Sequence, residues 1–108
     1  MWWDEQDEKK KENVRELIKA GQLELINGGW SAPDEACPTY DDLLDNWMTG
    51  HKFLVSQIGG EKFNRGLKLG WQIDAFGLSS GYARLASDVG IEALWIQRAD
   101  HQEKEMKR

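Results

Sequence analysis

Leu67-Lys68-Leu69-Gly70-Trp71-Gln72-Ile73-Asp74-Ala75-Phe76-Gly77 is the run around which the chain is organised. Leu67, Leu69, Trp71 and Ile73 alternate with smaller or polar residues, and a period of two is what a pleated strand needs to bury one face. The alternation stops at a carboxylate, an aromatic and a glycine, after which Ser79 and Ser80 offer caps for a helix. Helical patterns on either side predict a parallel strand. α/β proteins keep their chemistry where such strands end and helices begin, so Asp74 is the first candidate functional residue. The plain alternative is an Asp that only hydrogen-bonds its own turn.

Upstream of this run, residues 4–20 predict a helix in which acids lead and bases follow, as the helix dipole favours. Val14, Leu17 and Ile18 form its apolar stripe, and Gly21 is its stop. Leu23 to Asn27 reads as a short strand broken by Gly28-Gly29, and residues 29–36 as a loop at the same end of the sheet as Asp74. The two glycines suit a close approach of backbone to phosphate, but their spacing matches no phosphate-binding fingerprint. Asp34 and Glu35 have the chemistry of paired carboxylates, yet adjacent loop residues point apart, which favours a supporting or helix-entry role. Thr39 then caps the longest helix, 40–58, whose Leu43, Leu44, Trp47, His51, Leu54, Val55 and Ile58 share a face. His51 on that stripe reads as a packed side chain rather than a metal ligand.

Downstream, Tyr82, Leu85, Ala86 and Val89 mark a short helix that stops at Gly90. Residues 91–96 are nearly continuously apolar, as expected of a strand covered on both faces. Residues 103–108 read as the beginning of another helix. The predicted class is therefore α/β, in the order α-β-α-β-α-β-α with three parallel strands. Such a sheet leaves two open edges, so the pattern reads as a slice of a larger barrel or sheet.

Composition narrows the function classes. The 108 residues carry 19 acids against 14 bases, a net charge of -5, with the bases interspersed among acids. This argues against a nucleic-acid surface. No apolar run approaches the length of a membrane span, and Met1-Trp2-Trp3 leads straight into charge with no signal-peptide pattern. The lone Cys37 does not fix a redox compartment. Six tryptophans suit core and cleft lining, with sugar stacking as the functional alternative.

The predicted strand ends bring Gly29-Trp30, Asp74 to Phe76 and Arg98 to Asp100 to one rim. A carboxylate, an aromatic and a guanidinium there suit a polyhydroxylated substrate, because the ring stacks on the sugar while charged groups bind its hydroxyls. Asp74-Ala75-Phe76-Gly77 has a superficial likeness to the metal-binding loop of protein kinases, but an extra residue intervenes and no glycine-rich or catalytic-loop motif accompanies it. No Ser-His-Asp arrangement of credible spacing, CxxC or HExxH occurs.

Taken as a series, Gly21-Gln22-Leu23-Glu24, Asn27-Gly28-Gly29-Trp30, Asp34-Glu35-Ala36, Trp71 to Gly77 and Gln97-Arg98 resemble glycoside hydrolase family 38, the class II α-mannosidases. The similarity runs from about Trp2 to Lys104, so the whole of 1–108 reads as part of that family's N-terminal catalytic domain, a seven-stranded parallel α/β barrel. The resemblance implies retaining hydrolysis of an α-mannoside or N-glycan-type oligosaccharide at a zinc site. Asp74 matches the family's nucleophile, which is also a zinc ligand. Phe76 matches an aromatic near the metal, and Arg98 an arginine of the substrate pocket.

By the same resemblance, the family's His-x-Asp zinc pair lies upstream of this stretch, and its general acid and last zinc histidine lie downstream. The resemblance leaves the compartment open among a lysosome, the Golgi lumen, the outside of the cell and a bacterial cytoplasm. Three positions depart from the family pattern: Ala75 replaces a proline, and Leu78 and Thr39 each replace a histidine. With most zinc ligands outside the stretch, the isolated chain is expected to be inactive. The alternative is a catalytically dead carbohydrate-binding or interaction module. A third is a truncated product that aggregates through its open strand edges.

Overall fold

A computed structural model describes residues 1–59, 67–74 and 79–106. Among these residues, four helices and two strands follow in the order α1 (Glu8–Lys19), α2 (Tyr40–Gln57), β1 (Leu69–Gln72), α3 (Ser80–Asp88), β2 (Ala93–Ile96) and α4 (His101–Met106). The strands pair in parallel, as the helical flanks predict, with Gly70 opposite Leu94 and Gln72 opposite Ile96. The class is α/β.

Each helix begins where a side chain satisfies its first free amides. Asp7 caps α1 through a 2.8 Å bond from the Lys10 amide, so the helix starts at Glu8 rather than at Asp4. Residues 1–6 instead turn back on themselves. That turn buries Trp3, whose indole N–H donates to Gln57 Oε1 at 3.2 Å and whose ring lies under Arg15. Thr39 and Asp42 cap α2 reciprocally, the Thr39 hydroxyl accepting from the Asp42 amide and the Asp42 carboxylate from the Thr39 amide. The hydroxyl at position 39 therefore has a folding role. Ser79 caps α3 through the Tyr82 amide at 3.0 Å.

The main core joins α2, α3 and the turn into β2: Leu43, Trp47, Tyr82, Leu85, Ala86 and Ile91, with Leu44, Val89 and Leu94 at its margin. The Trp47 and Tyr82 rings stack with centroids 5.3 Å apart. A second cluster sets Ile18 of α1 against Leu67, with Val14, Leu25, Leu54 and Ile58 around them. The sheet meets the core through the face opposite to the expected one. Gly70 and Gln72 are the buried strand positions, Leu69 and Trp71 are half-buried, and Ile73 is exposed. Gly70 makes this possible, since a Cβ there would sit 2.7 Å from a Leu94 methyl.

Three other expectations need correction. Residues 23–27 are not a strand. The main chain reaches β1 through the Asn27 amide, 2.9 Å from the Leu69 carbonyl, and Asn27 has a left-handed φ of 63° that ends any extended run. Residues 91–96 shorten to β2 at 93–96, because Ile91 and Glu92 make the turn from α3, and the strand is not covered on both faces: Trp95 is 63% and Ile96 43% exposed. The last helix begins at His101, two residues before the expected Glu103.

Candidate functional site

The register of the sheet builds the site. β1 and β2 end side by side at Gln72 and Ile96, and the Gln97 amide extends the ladder to the Gln72 carbonyl at 3.1 Å. Asp74 and Arg98 each stand two residues further on, at the same sequence offset as the paired strand residues, so parallel pairing delivers them to the same place. Arg98 Nε lies 2.8 Å from Asp74 Oδ1, with both side chains about 60% open to solvent (59% and 60%). An exposed pair of this kind contributes little to stability, on the order of 0–1 kcal/mol. Its interest is geometric, because a guanidinium fixes a carboxylate's direction. Asp74 does not spend its carboxylate on capping α3, a task that falls to Ser79.

Beside this pair lies a cavity of about 240 Å³ lined by Asn27, Ala32, Pro33, Asp34, Trp71, Gln72, Ile73 and Asp74. Two carboxylates (Asp34 and Asp74), two amides (Asn27 and Gln72) and the Trp71 indole give it the mixed character of a polyol site. Phe76, the aromatic expected in this place, and the departures Ala75 and Leu78 lie outside the described residues. The expected rim is otherwise redrawn. Trp30 packs edge-on against Phe53 of α2, with ring centroids 5.6 Å apart, and is not among the lining residues.

Gly28-Gly29 likewise serve packing, since the loop crosses α2 at Gly50, where an added Cβ would sit 2.1 Å from the Gly28 carbonyl oxygen. His51 is a packed residue, as its position predicts. Its Nδ1 lies 3.0 Å from the Trp47 carbonyl, so the proton belongs on Nδ1.

Two residues that pattern reading passed over hold the cavity in shape. Asn27 uses its side-chain amide as a piece of strand: Nδ2 donates to the Trp71 carbonyl at 3.1 Å, and Oδ1 accepts the Trp71 amide at 2.6 Å. Its own carbonyl accepts the Trp47 indole N–H at 3.2 Å, tying β1 to α2. The sequence signal was an Asn before Gly-Gly, the residue type that tolerates a left-handed backbone while bonding locally. Gln72 is buried at the end of β1 and donates to the Pro33 carbonyl at 3.3 Å.

The carboxylates Asp34 and Glu35 point apart, as adjacent loop residues do. Asp34 Oδ1 accepts the Ala36 amide at 3.2 Å beside the cavity, whereas Glu35 reaches across to accept the Ser79 amide. Burial pushes the Glu35 carboxyl up from its ordinary range, against the hydrogen bonds from Ser79 that favour the charged form. Burial also raises the Tyr82 phenol, opposed by its hydrogen bond with Gln72 and aided by the charge of Glu35. Among the described residues, no group of three or more His, Cys, Asp and Glu side chains converges as a metal cage would require. Nor is any described helix long and apolar enough to cross a membrane.

With this geometry in place, the likenesses to other proteins are informative. The family described as glycosyl hydrolases family 38 N-terminal domain matches residues 1–108. A probable alpha-mannosidase of Arabidopsis thaliana is 44% identical over 98% of the chain, and an alpha-mannosidase of Canavalia ensiformis 42% over 99%. The human protein named Alpha-mannosidase 2 is 42% identical over 93%. The chain spans about a tenth of the length of these relatives, 10%, 10% and 8% respectively.

Proposed function

The chain belongs to the glycosyl hydrolase family 38 N-terminal domain family, and from that premise we propose that it forms part of the catalytic domain of a retaining α-mannosidase with Asp74 as nucleophile. The observation that carries this reading is the contact of Asp74 with Arg98 at the edge of the Asn27–Asp74 cavity. The names of the relatives support an α-mannoside as substrate, with an N-glycan-type oligosaccharide as the finer proposal.

On this reading an Asp74 oxygen attacks the anomeric carbon of the mannoside while the glycosidic C–O bond breaks. A general acid from elsewhere in the domain protonates the departing oxygen. Water then cleaves the mannosyl ester, and two inversions retain the configuration. Arg98 holds the carboxylate in its attacking direction and offers N–H donors to sugar hydroxyls, and Phe76 supplies an aromatic surface for the ring. The two parallel strands form a slice of the seven-stranded α/β barrel that the resemblance implies, and the rest of that domain covers the two faces to which Trp95 and Ile96 point.

Zinc is held to a stricter test. A zinc site takes three or four protein ligands, and the described residues bring no such group together. Asp74 offers a single carboxylate, so by themselves these residues do not fit the metal, and the displacement above uses only the carboxylate. The 108-residue chain alone is expected to turn over α-mannosides at the background rate.

The test is α-mannosidase turnover in a full-length enzyme with the flanking segments restored. Asp74→Asn lowers kcat by about a thousandfold or more if the carboxylate is the nucleophile; turnover near wild type removes Asp74 from the mechanism. A second reading, a catalytically inert carbohydrate-binding module, rests on the departures from the family pattern at Leu78 and Thr39. Calorimetric titration of the full-length protein separates the two: mannose binding indifferent to zinc, without turnover, supports the module.

A further inference from the structure

The loop from Pro33 to Glu35 touches the chain on both sides of Asp74. Before it, the buried Gln72 donates its side-chain amide to the Pro33 carbonyl at 3.3 Å. After it, the Glu35 carboxylate accepts the backbone amide of Ser79, the residue that caps α3. Gln72 and Ser79 stand two residues before and five residues after Asp74, so one short stretch of loop fixes both ends of the segment that carries the carboxylate. The second oxygen of Glu35 is buried and, among the described residues, has no hydrogen-bond partner. Such an oxygen costs folding free energy, and a helix cap alone does not need it, because a serine or asparagine can serve a cap from within its own turn.

We propose that Glu35 is a positioning residue for Asp74, clamping the entry of α3 to the 33–35 loop so that the carboxylate at position 74 keeps its direction toward Arg98 and the cavity. This inference rests on the nucleophile reading of Asp74. The clamp depends on reach and on an acceptor oxygen, not on negative charge. Shortening the side chain by one methylene therefore breaks it, whereas an amide of the same length preserves it.

The experiment compares Glu35→Ala, Glu35→Asp and Glu35→Gln in the full-length enzyme with its flanking segments restored, alongside Asp74→Asn. Two quantities are measured: steady-state turnover of an aryl α-mannoside, and amide exchange at Ser79 and Tyr82. Misdirection of a reacting group is expected to lower kcat about 10- to 100-fold in Glu35→Ala and Glu35→Asp, with KM changed by no more than about threefold. Glu35→Gln keeps kcat within about threefold of wild type. The Ser79 amide loses protection in the first two variants and keeps it in the third.

Wild-type kcat in Glu35→Asp, or unchanged exchange at Ser79, overturns the proposal. So does equal loss in Glu35→Gln and Glu35→Ala, which would make the charge the requirement. Should Glu35→Ala fail to fold, the contrast between Asp and Gln carries the test. Failure of the underlying reading looks different: wild-type turnover in Asp74→Asn, or no α-mannosidase turnover in the unsubstituted enzyme. An inactive Asp74→Asn beside a fully active Glu35→Asp sinks the Glu35 assignment alone.

Discussion

β1 and β2 have the same length and direction and end in side chains that meet, but they are built into the molecule differently. β1 lies between two neighbours. On one edge it pairs with β2, and on the other Asn27 supplies both a donor and an acceptor to Trp71. Its inward positions, Gly70 and Gln72, are buried. Among the described residues β2 pairs with β1 on one edge, and Trp95 and Ile96, on its opposite faces, are both exposed. Among the described residues, the carboxylate of the candidate site thus stands on a strand with partners on both edges, and the guanidinium on a strand with a partner on one. Within the described residues the firmer support lies behind the strand that carries Asp74.

The contrast predicts that substitutions behind β1 cost far more than those on β2. The largest expected effect is at Trp47, 3% exposed, stacked on Tyr82 and bonded to the Asn27 carbonyl. Trp47→Ala should destabilise by about 3–5 kcal/mol, read as a lowered urea midpoint. A loss below about 1 kcal/mol would mean that α2 does not support β1.

Asn27→Ala comes next. It removes the two bonds to Trp71 and places alanine at a left-handed φ, an expected loss of about 1–3 kcal/mol. Exchange of the Trp71 amide should quicken with it. If that amide stays protected, β1 has no real second neighbour and the asymmetry between the strands disappears.

These two residues also mark how much could be read from the chain. The helices, the parallel pairing and the meeting of Asp74 with Arg98 were legible, because capping residues, period-two alternation and matched strand exits are local or register-level signals. The third strand was misread because Leu23 to Asn27 has a strand's apolar composition, whereas its pairing is done mainly by one side chain, which no periodicity records. The buried face of β1 was misread for a related reason. Alternation marked the large residues as inward, but the core closes over Gly70 and over a hydrogen-bonded Gln72. Glu35 was legible only, with Asp34, as a supporting or helix-entry residue, and not as a contact spanning 44 positions.

A smaller effect, with a definite sign, concerns pH. Burial raises the Glu35 carboxyl in the folded state, so folding favours its protonated form. The stability this contributes is fully present below the unfolded carboxyl pKa of about 4.3 and is lost as pH rises through the higher folded value. Glu35→Gln, a neutral mimic, should therefore gain stability over wild type at neutral pH, and the gain should shrink as pH falls toward 4. A gain that grows on acidification would mean that the Ser79 hydrogen bonds outweigh burial.

The smallest expected effect is the sharpest test of the contrast, because it asks for nearly nothing. Trp95 sits opposite Trp71 in the register and is 63% exposed. Its side chain removes little apolar surface from water within this segment, so Trp95→Ser should change the urea midpoint of the 108-residue chain by no more than about 0.5 kcal/mol in equivalent stability. In the full-length enzyme the barrel reading predicts otherwise. If the rest of the domain covers this face, the same substitution removes a buried aromatic there and costs about 3 kcal/mol or more. Equal, small losses in both settings would leave β2 a solvent-facing edge and count against the barrel. A large loss in the short chain would show that β2 is as firmly built as β1.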